Sequence, residues 1–134
     1  MKISFTVRGN PKAQKRHRHT RTGVTYDPSS REKQDFLLTV QNSAPAIPLN
    51  DPLKVKAAFY FPIPKSVPKY LRKQMLEDTY PHTKTPDADN CLKFLLDSLN
   101  KIFYTDDKLI YSIMVEKFYS ETPRTEVTIE DSKV

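Results

Sequence analysis

Residues 85–110 read TPDADNCLKFLLDSLNKIFYTDDKLI and carry five aspartates, Asp87, Asp89, Asp97, Asp106 and Asp107. They stand in a basic chain, where 22 Lys and Arg against 16 Asp and Glu give a formal net charge of +6. Two carboxylates one residue apart, joined by a third from a distant turn, can hold a divalent cation. Oxygen ligands of this kind suit Mg²⁺, which binds through one or two carboxylates and keeps several waters. A metal so held activates water and stabilises the charge developing on a phosphodiester, and two ions about 4 Å apart do both. A nearby lysine adds positive charge at the phosphate or assists the attacking water. The same residues also fit structural roles. Asp89 can cap a helix, Asp87 can complement its dipole, Asp106 and Asp107 can make a turn, and Asp97 can pair with Lys93. A D-x-D spacing is common, and alone it decides for neither reading.

The elements that must position these acids are legible as hydrophobic periods. Leu92, Leu95, Leu96 and Leu99 fall at i, i+3, i+4 and i+7 and predict a helix with an apolar stripe, N-capped by Asp89 or Asn90. Asp89, Lys93 and Asp97 follow at successive i+4 steps beside that stripe. Asp106 and Asp107 precede a long strand over 109–119, and a turn there would bring them back toward the helix start. Strict alternation predicts further strands over 2–8, 53–61 and 125–130, the last with Val127 and Ile129 inward. VTYDP reads as a short returning strand. Ser29 with Glu32 makes a capping box for a helix that carries Phe36, Leu37, Val40 and Ala44 on one face. Ser66 and Pro68 open a short helix that runs to about Leu76. The expected fold is α+β: a small single domain over 1–134, with a mixed β-sheet and helices packed on one side of it. The stretch 9–23 is expected to be a basic loop and 131–134 a flexible tail.

Charge and composition bound the function. At 134 residues the chain is long enough for one modest core, and 37% hydrophobic content is not that of a disordered chain. The isoelectric point near 9.4 points to an anionic partner, nucleic acid before a membrane surface. Cys91 is the only cysteine, so no intramolecular disulfide forms. No apolar run is long enough to span a membrane and no signal peptide is evident, which makes the cytoplasm the expected location. The loop GNPKAQKRHRHTRTG holds five Lys/Arg and two His among fifteen residues. Lys12, Lys15, Arg16, Arg18 and Arg21 are expected to form a DNA-contacting arm, with a solvated charge run as the plainer alternative. His17 and His19 lack the cysteines of a soft-metal site and are expected to touch phosphate or water. Lys65, Lys69, Arg72 and Lys73 form a second basic cluster, either a solvated face or a further DNA contact. Lys117 is expected in a central strand, where its ammonium would need a carboxylate from the aspartate group. Cys91 reads as a small packing residue.

PDADNCLKFLLDSLN, then DDKLI, then Lys117 in the strand that follows, resembles the RusA family of Holliday junction resolvases. The family pattern is D-x-D-N, a lysine four residues after the second aspartate, an aspartate four further on, and a D-D pair before a strand. Asp87, Asp89, Asn90, Lys93, Asp97, Asp106 and Asp107 supply all of it. The first strand, GNPKAQKRHR and TYDPSSREK also resemble the family's opening, so the likeness spans about residues 3 to 130. The resemblance implies a Mg²⁺-dependent endonuclease, with Mn²⁺ as a substitute, that acts as a homodimer. It cuts four-way DNA junctions by paired nicks, in recombination and repair, and many members are carried by prophages. It further implies that Asp87, Asp89 and Asp107 are metal ligands and Lys93 the essential lysine. Asn90, Asp97, Asp106 and Lys117 are left as supporting residues. The alternative from another class is a non-catalytic, structure-selective DNA-binding protein whose acids are caps, turns and ion-pair partners.

Overall fold

The computed structural model describes residues 1–132. The alternating segments become β1 (Lys2–Arg8), β4 (Leu53–Pro62), β5 (Ile110–Ser120) and β6 (Arg124–Asp131), and β2 (Arg18–His19) and β3 (Thr25–Tyr26) make a separate short hairpin. The helices are α1 (Ser30–Val40), α2 (Lys69–Leu76) and α3 (Ala88–Leu99). The strands form one mixed sheet in the order β1-β6-β4-β5. β6 runs antiparallel to both β1 and β4, and β4 runs parallel to β5. A parallel pair needs a long crossover, and α2 and α3 lie in it.

Alternation along β4 decides which face is covered. Leu53, Val55, Ala57, Phe59 and Phe61 are buried, and they pack with Ile3, Val127, Ile129 and residues of α1 and α3 into the main core. Met75 of α2 joins Ile63 and Tyr119 in a smaller cluster on the same face, since Tyr119 stands opposite Phe61. The other face stays open. It carries Lys54, Lys56 and Tyr60, with Tyr60 stacked on Phe118 at 5.0 Å and Arg124 over the Tyr60 ring at 3.7 Å. The expected α+β architecture, a mixed sheet with helices on one side, is therefore the architecture of the chain.

Four local expectations are corrected. The buried face of α3 is Cys91, Phe94, Leu95, Ser98 and Leu99, while Leu92 and Leu96 are only half-buried. The stripe is rotated by one residue: Cys91 joins the main core, and Phe94 meets Phe36 of α1 edge-on at 5.9 Å. The capping box at α1 does not form: Ser29 is the N-cap, yet its side chain makes no cap bond. β5 is an edge strand, not a central one, so Lys117 lies at the margin of the sheet. The expected tail is tied down at its start. Asp131 ends β6 and takes the N-terminal ammonium at 2.6 Å, and the Ser132 N–H donates to the Pro52 carbonyl. Residues 133–134 lie outside the described residues.

Candidate acidic site and the basic arm docked on it

The first two aspartates sit where α3 begins. The N-cap is Asp87, two residues before the earliest expected cap, and its extended backbone (φ −68°, ψ 148°) carries a side chain that makes no capping bond. Asp89 lies in the first turn and its Oδ1 accepts the Asn90 N–H at 3.0 Å. Both side chains are exposed, and neither is in an ion pair among the described residues. Carboxylates left unpaired at the start of a helix are available to a cation.

Asp97 is committed elsewhere. Its Oδ2 takes Lys33 of α1 at 3.2 Å, and Lys33 also reaches Asp27 Oδ2 at 2.7 Å. Lys93 approaches Asp97 only at 3.9 Å and stays exposed. The D-D pair divides its labour. Asp106 caps the short turn Asp107–Leu109 by accepting the Lys108 N–H at 2.9 Å, and Lys101 stands 3.6 Å away. The Lys108 N–H holds the Asp106 carboxyl below its ordinary range. Asp107 is exposed and forms no such bond to the backbone.

Two buried groups register the surrounding charges. Burial pushes the Cys91 thiol up to about 11; the charge of Lys117 opposes this, and Asp87 and Asp89 add to it. The acid pair and Lys117 thus lie within electrostatic reach of the same buried sulfur. Lys117 donates to the Lys84 carbonyl at 2.7 Å and lies 5.6 Å from the Phe61 ring centre. A carbonyl and a ring face, rather than the expected carboxylate, satisfy its ammonium. Burial also raises the Tyr104 hydroxyl, with Asp107 and then Asp97 contributing, while that hydroxyl donates to the Leu96 carbonyl at 2.6 Å. Asp107 therefore lies within electrostatic reach of a hydroxyl bonded to α3. Among the described residues, no three His, Cys, Asp or Glu side chains gather closely enough to hold a metal ion. The donor chemistry of Asp87 and Asp89 does suit a Mg²⁺ that takes two carboxylates and keeps its waters. Asp107 does not join them in one cluster.

The basic arm leans on this helix start. The Gln14 N–H donates to the Asn90 carbonyl at 3.0 Å, and the Gln14 side chain donates to Asp27 Oδ1 at 2.7 Å. The Lys15 N–H donates to Ser29 Oγ, the atom expected to cap α1. Lys15 and Lys12 face Glu32 at 2.9 and 3.6 Å, which occupies the other half of the expected capping box. Arg16, Arg18 and Arg21 are exposed, Arg18 opposite Tyr26 in the β2–β3 hairpin. His19 bonds the Thr25 hydroxyl at 2.9 Å. In the second cluster Lys65 and Lys69 are exposed, Arg72 lies 3.7 Å from Glu121, and Lys73 lies 3.9 Å from Glu77.

Sequence reasoning missed Asp27, Gln14 and Lys33, which join arm, α1 and α3. One signal was present: Lys33 continues the stripe of Phe36, Leu37 and Val40 backward at helical spacing. A cation on the packed side of a helix requires a carboxylate. Here it has two, and the Lys33, Ser29 and Gln14 hydrogen bonds outweigh burial to bring the Asp27 carboxyl down to about 2.

Comparison with known proteins bears on this arrangement. The family profile described as "Endodeoxyribonuclease RusA" matches residues 8–130. The chain is also 37% identical over 137 residues, covering 96% of each sequence, to the uncharacterized protein YqaN of Bacillus subtilis (strain 168). The profile takes in the basic arm, the unpaired carboxylates at the start of α3 and the D-D turn, and the chain belongs to the RusA family of endodeoxyribonucleases.

Proposed function

We propose that the protein is a Mg²⁺-dependent endonuclease that resolves four-way DNA junctions, acting as a homodimer that makes paired nicks. The observation that carries this reading is the pair Asp87 and Asp89: exposed, without ion-pair partners among the described residues, and bordered by the arm through the Gln14–Asn90 bond. Membership of an endodeoxyribonuclease family supports it. Asp87 and Asp89 would hold the metal; Asp107, the third ligand that the family resemblance implies, stands apart from them and would have to approach them to coordinate. Asp106 is held by both the Lys108 N–H and the Lys101 ammonium, which favours Asp107 as the available member of its pair. When bound, the metal supplies an activated water and a positive charge at the scissile phosphate.

The chain's own residues do the rest. Lys93 stands one helical turn beyond Asp89 with its ammonium exposed, suited to meet a phosphate oxygen. Arg16, Arg18 and Arg21 on the hairpin arm, with Lys12 and Lys15 at its base, neutralise backbone phosphates beside the acids. Lys65 and Lys69 extend this basic surface. Asn90, whose carbonyl takes the Gln14 N–H, holds the arm to the helix start. Asp97 and Lys33 fix α1 against α3.

The test is incubation of a labelled four-way junction with the protein, with and without Mg²⁺, beside a linear duplex of the same sequence. Symmetric nicks in the junction that need the metal support the proposal. Tight junction binding with no cleavage in Mg²⁺ or Mn²⁺ would establish instead a non-catalytic, structure-selective DNA-binding protein.

A further inference from the structure

We infer that the outer edge of β5 is where two copies of the chain join, strand to strand and antiparallel, so that their two sheets become one. This rests on the homodimer reading above and deepens it by assigning the surface. Among the described residues β5 ends the sheet and pairs only with β4, which leaves one edge of an 11-residue strand without a ladder partner there. Its exposed apolar residues lie on both sides of the strand. Ile113 is 46% exposed and shares the helix-covered face with Val55, whereas Met114 is 55% exposed on the open face beside Lys56. A helix or loop laid on one face would cover only one of them. A strand added edge-on covers both and takes up the free N–H and C=O groups as well.

Two of the usual protections of an edge, a charge and a proline, are missing where they would matter. From Leu109 to Val115 the sequence LIYSIMV has no charge and no proline. A bulge sits at Tyr111, where Ile110 faces Leu53 and Ser112 faces Lys54, and from Ser112 onward the ladder is regular. The Tyr111 hydroxyl bonds Ser132 Oγ at 2.9 Å, so that ring is held to its own sheet and leaves the edge open.

The occupant is a second copy because the strand complements itself, as a two-fold contact requires. With the axis at Ile113, Glu116 faces Ile110 and Lys117 faces Leu109. With the axis at Met114, Glu116 faces Ser112 and Lys117 faces Tyr111. Neither register opposes like charges. The other free edge fails the same test: β1 paired with itself about its midpoint, Phe5, would set Lys2 against Arg8. β1 also turns its apolar residues Ile3, Phe5 and Val7 inward and exposes polar ones.

The experiment uses the full chain. Residues facing each other across an antiparallel pair have Cα atoms about 4.5–5.5 Å apart, within disulfide reach. Ile113→Cys and Met114→Cys are oxidised mildly and run on a non-reducing gel beside Ile47→Cys, an exposed position outside the sheet. Cys91 is fully buried and does not compete. We expect covalent dimer from whichever β5 position lies on the axis and none from position 47. Independently, Ile113→Lys and Met114→Lys, folded by circular dichroism, should weaken dimerisation at least about a hundredfold in light scattering. A dimer that resists both lysines and cross-links at neither β5 cysteine overturns this interface and leaves the homodimer reading standing. A wild-type chain that stays monomeric at every concentration overturns both.

Discussion

At the scale of single residues, the chain separates acids that are engaged from acids that are not. Asp27, Asp97 and Asp106 are paired with lysines, and among the described residues Asp87 and Asp89 are in no ion pair. The two sets should behave differently. Asp87→Asn and Asp89→Asn are expected to lower junction cleavage by well over about a hundredfold, beyond the scale on which outer partners of a metal act, with DNA binding kept or tightened. Asp107→Asn should do the same, while Asp106→Asn should retain substantial cleavage. A dead Asp106→Asn beside an active Asp107→Asn, in a gel assay with labelled junction, would reverse the assignment of the pair. Asp27 makes a prediction in pH. Its carboxyl lies at about 2 in the folded chain against an ordinary 3.8. A depressed carboxyl stabilises the fold above its unfolded value and loses that contribution as pH falls toward the folded one. On the order of 2 kcal/mol should therefore be present above about pH 5 and fade between about pH 4 and 2. Lys33→Met should remove most of it, and urea melts of both proteins across that range measure the difference.

At the scale of elements, α3 and the arm matter most. The buried face of α3 passes through Leu95, 1% exposed, and leaves Leu92 half-buried. Leu95→Ala is expected to cost about 2–5 kcal/mol, and Leu92→Ala clearly less, because only the first opens a cavity in closed packing. Equal losses in denaturant titrations would place both on one stripe, as the leucine spacing alone suggests. The arm divides into a docked base and an exposed hairpin. Lys12 and Lys15 already face Glu32, whereas Arg16, Arg18 and Arg21 face solvent. Replacing those three arginines by glutamine should flatten the slope of log K against log salt by about 0.9 for each phosphate that is no longer neutralised. Replacing Lys12 and Lys15 should flatten it less. If neither change alters the slope, the DNA backbone is held elsewhere, with Lys65 and Lys69 next to be tested.

At the scale of the whole molecule, the proposed reaction exceeds what one chain supplies. A four-way junction is resolved by two nicks related by an approximate two-fold axis, and each chain carries one pair of unpaired acids at the start of one helix. A C₂ dimer matches that symmetry. Wild-type protein mixed with Asp87→Asn should form dimers that nick one strand and leave its symmetric partner intact, as denaturing gels of a doubly labelled junction would reveal. Complete resolution by mixed dimers would mean that one site makes both cuts.

Most of the elements and the acids themselves were legible in the amino-acid sequence, because both rest on local signals. Alternation in LKVKAAFYF depends on each residue's immediate neighbours, and so does the i+4 run of Asp89, Lys93 and Asp97. Partners distant in the chain were not legible. Nothing near Ser29 shows that its hydroxyl will take the Lys15 N–H, or that Lys33, besides pairing with Asp27, will reach Asp97 64 residues further on. The sheet order, too, was decided only in three dimensions. β6 enters between β1 and β4, which sends β5 to the edge and Lys117 with it. Strand order depends on which apolar faces bury best together once α2 and α3 have crossed over, and no window of sequence contains that competition. The sequence by itself determined which carboxylates and cations this protein possesses. The tertiary structure decided which of them neutralise one another and which are left available.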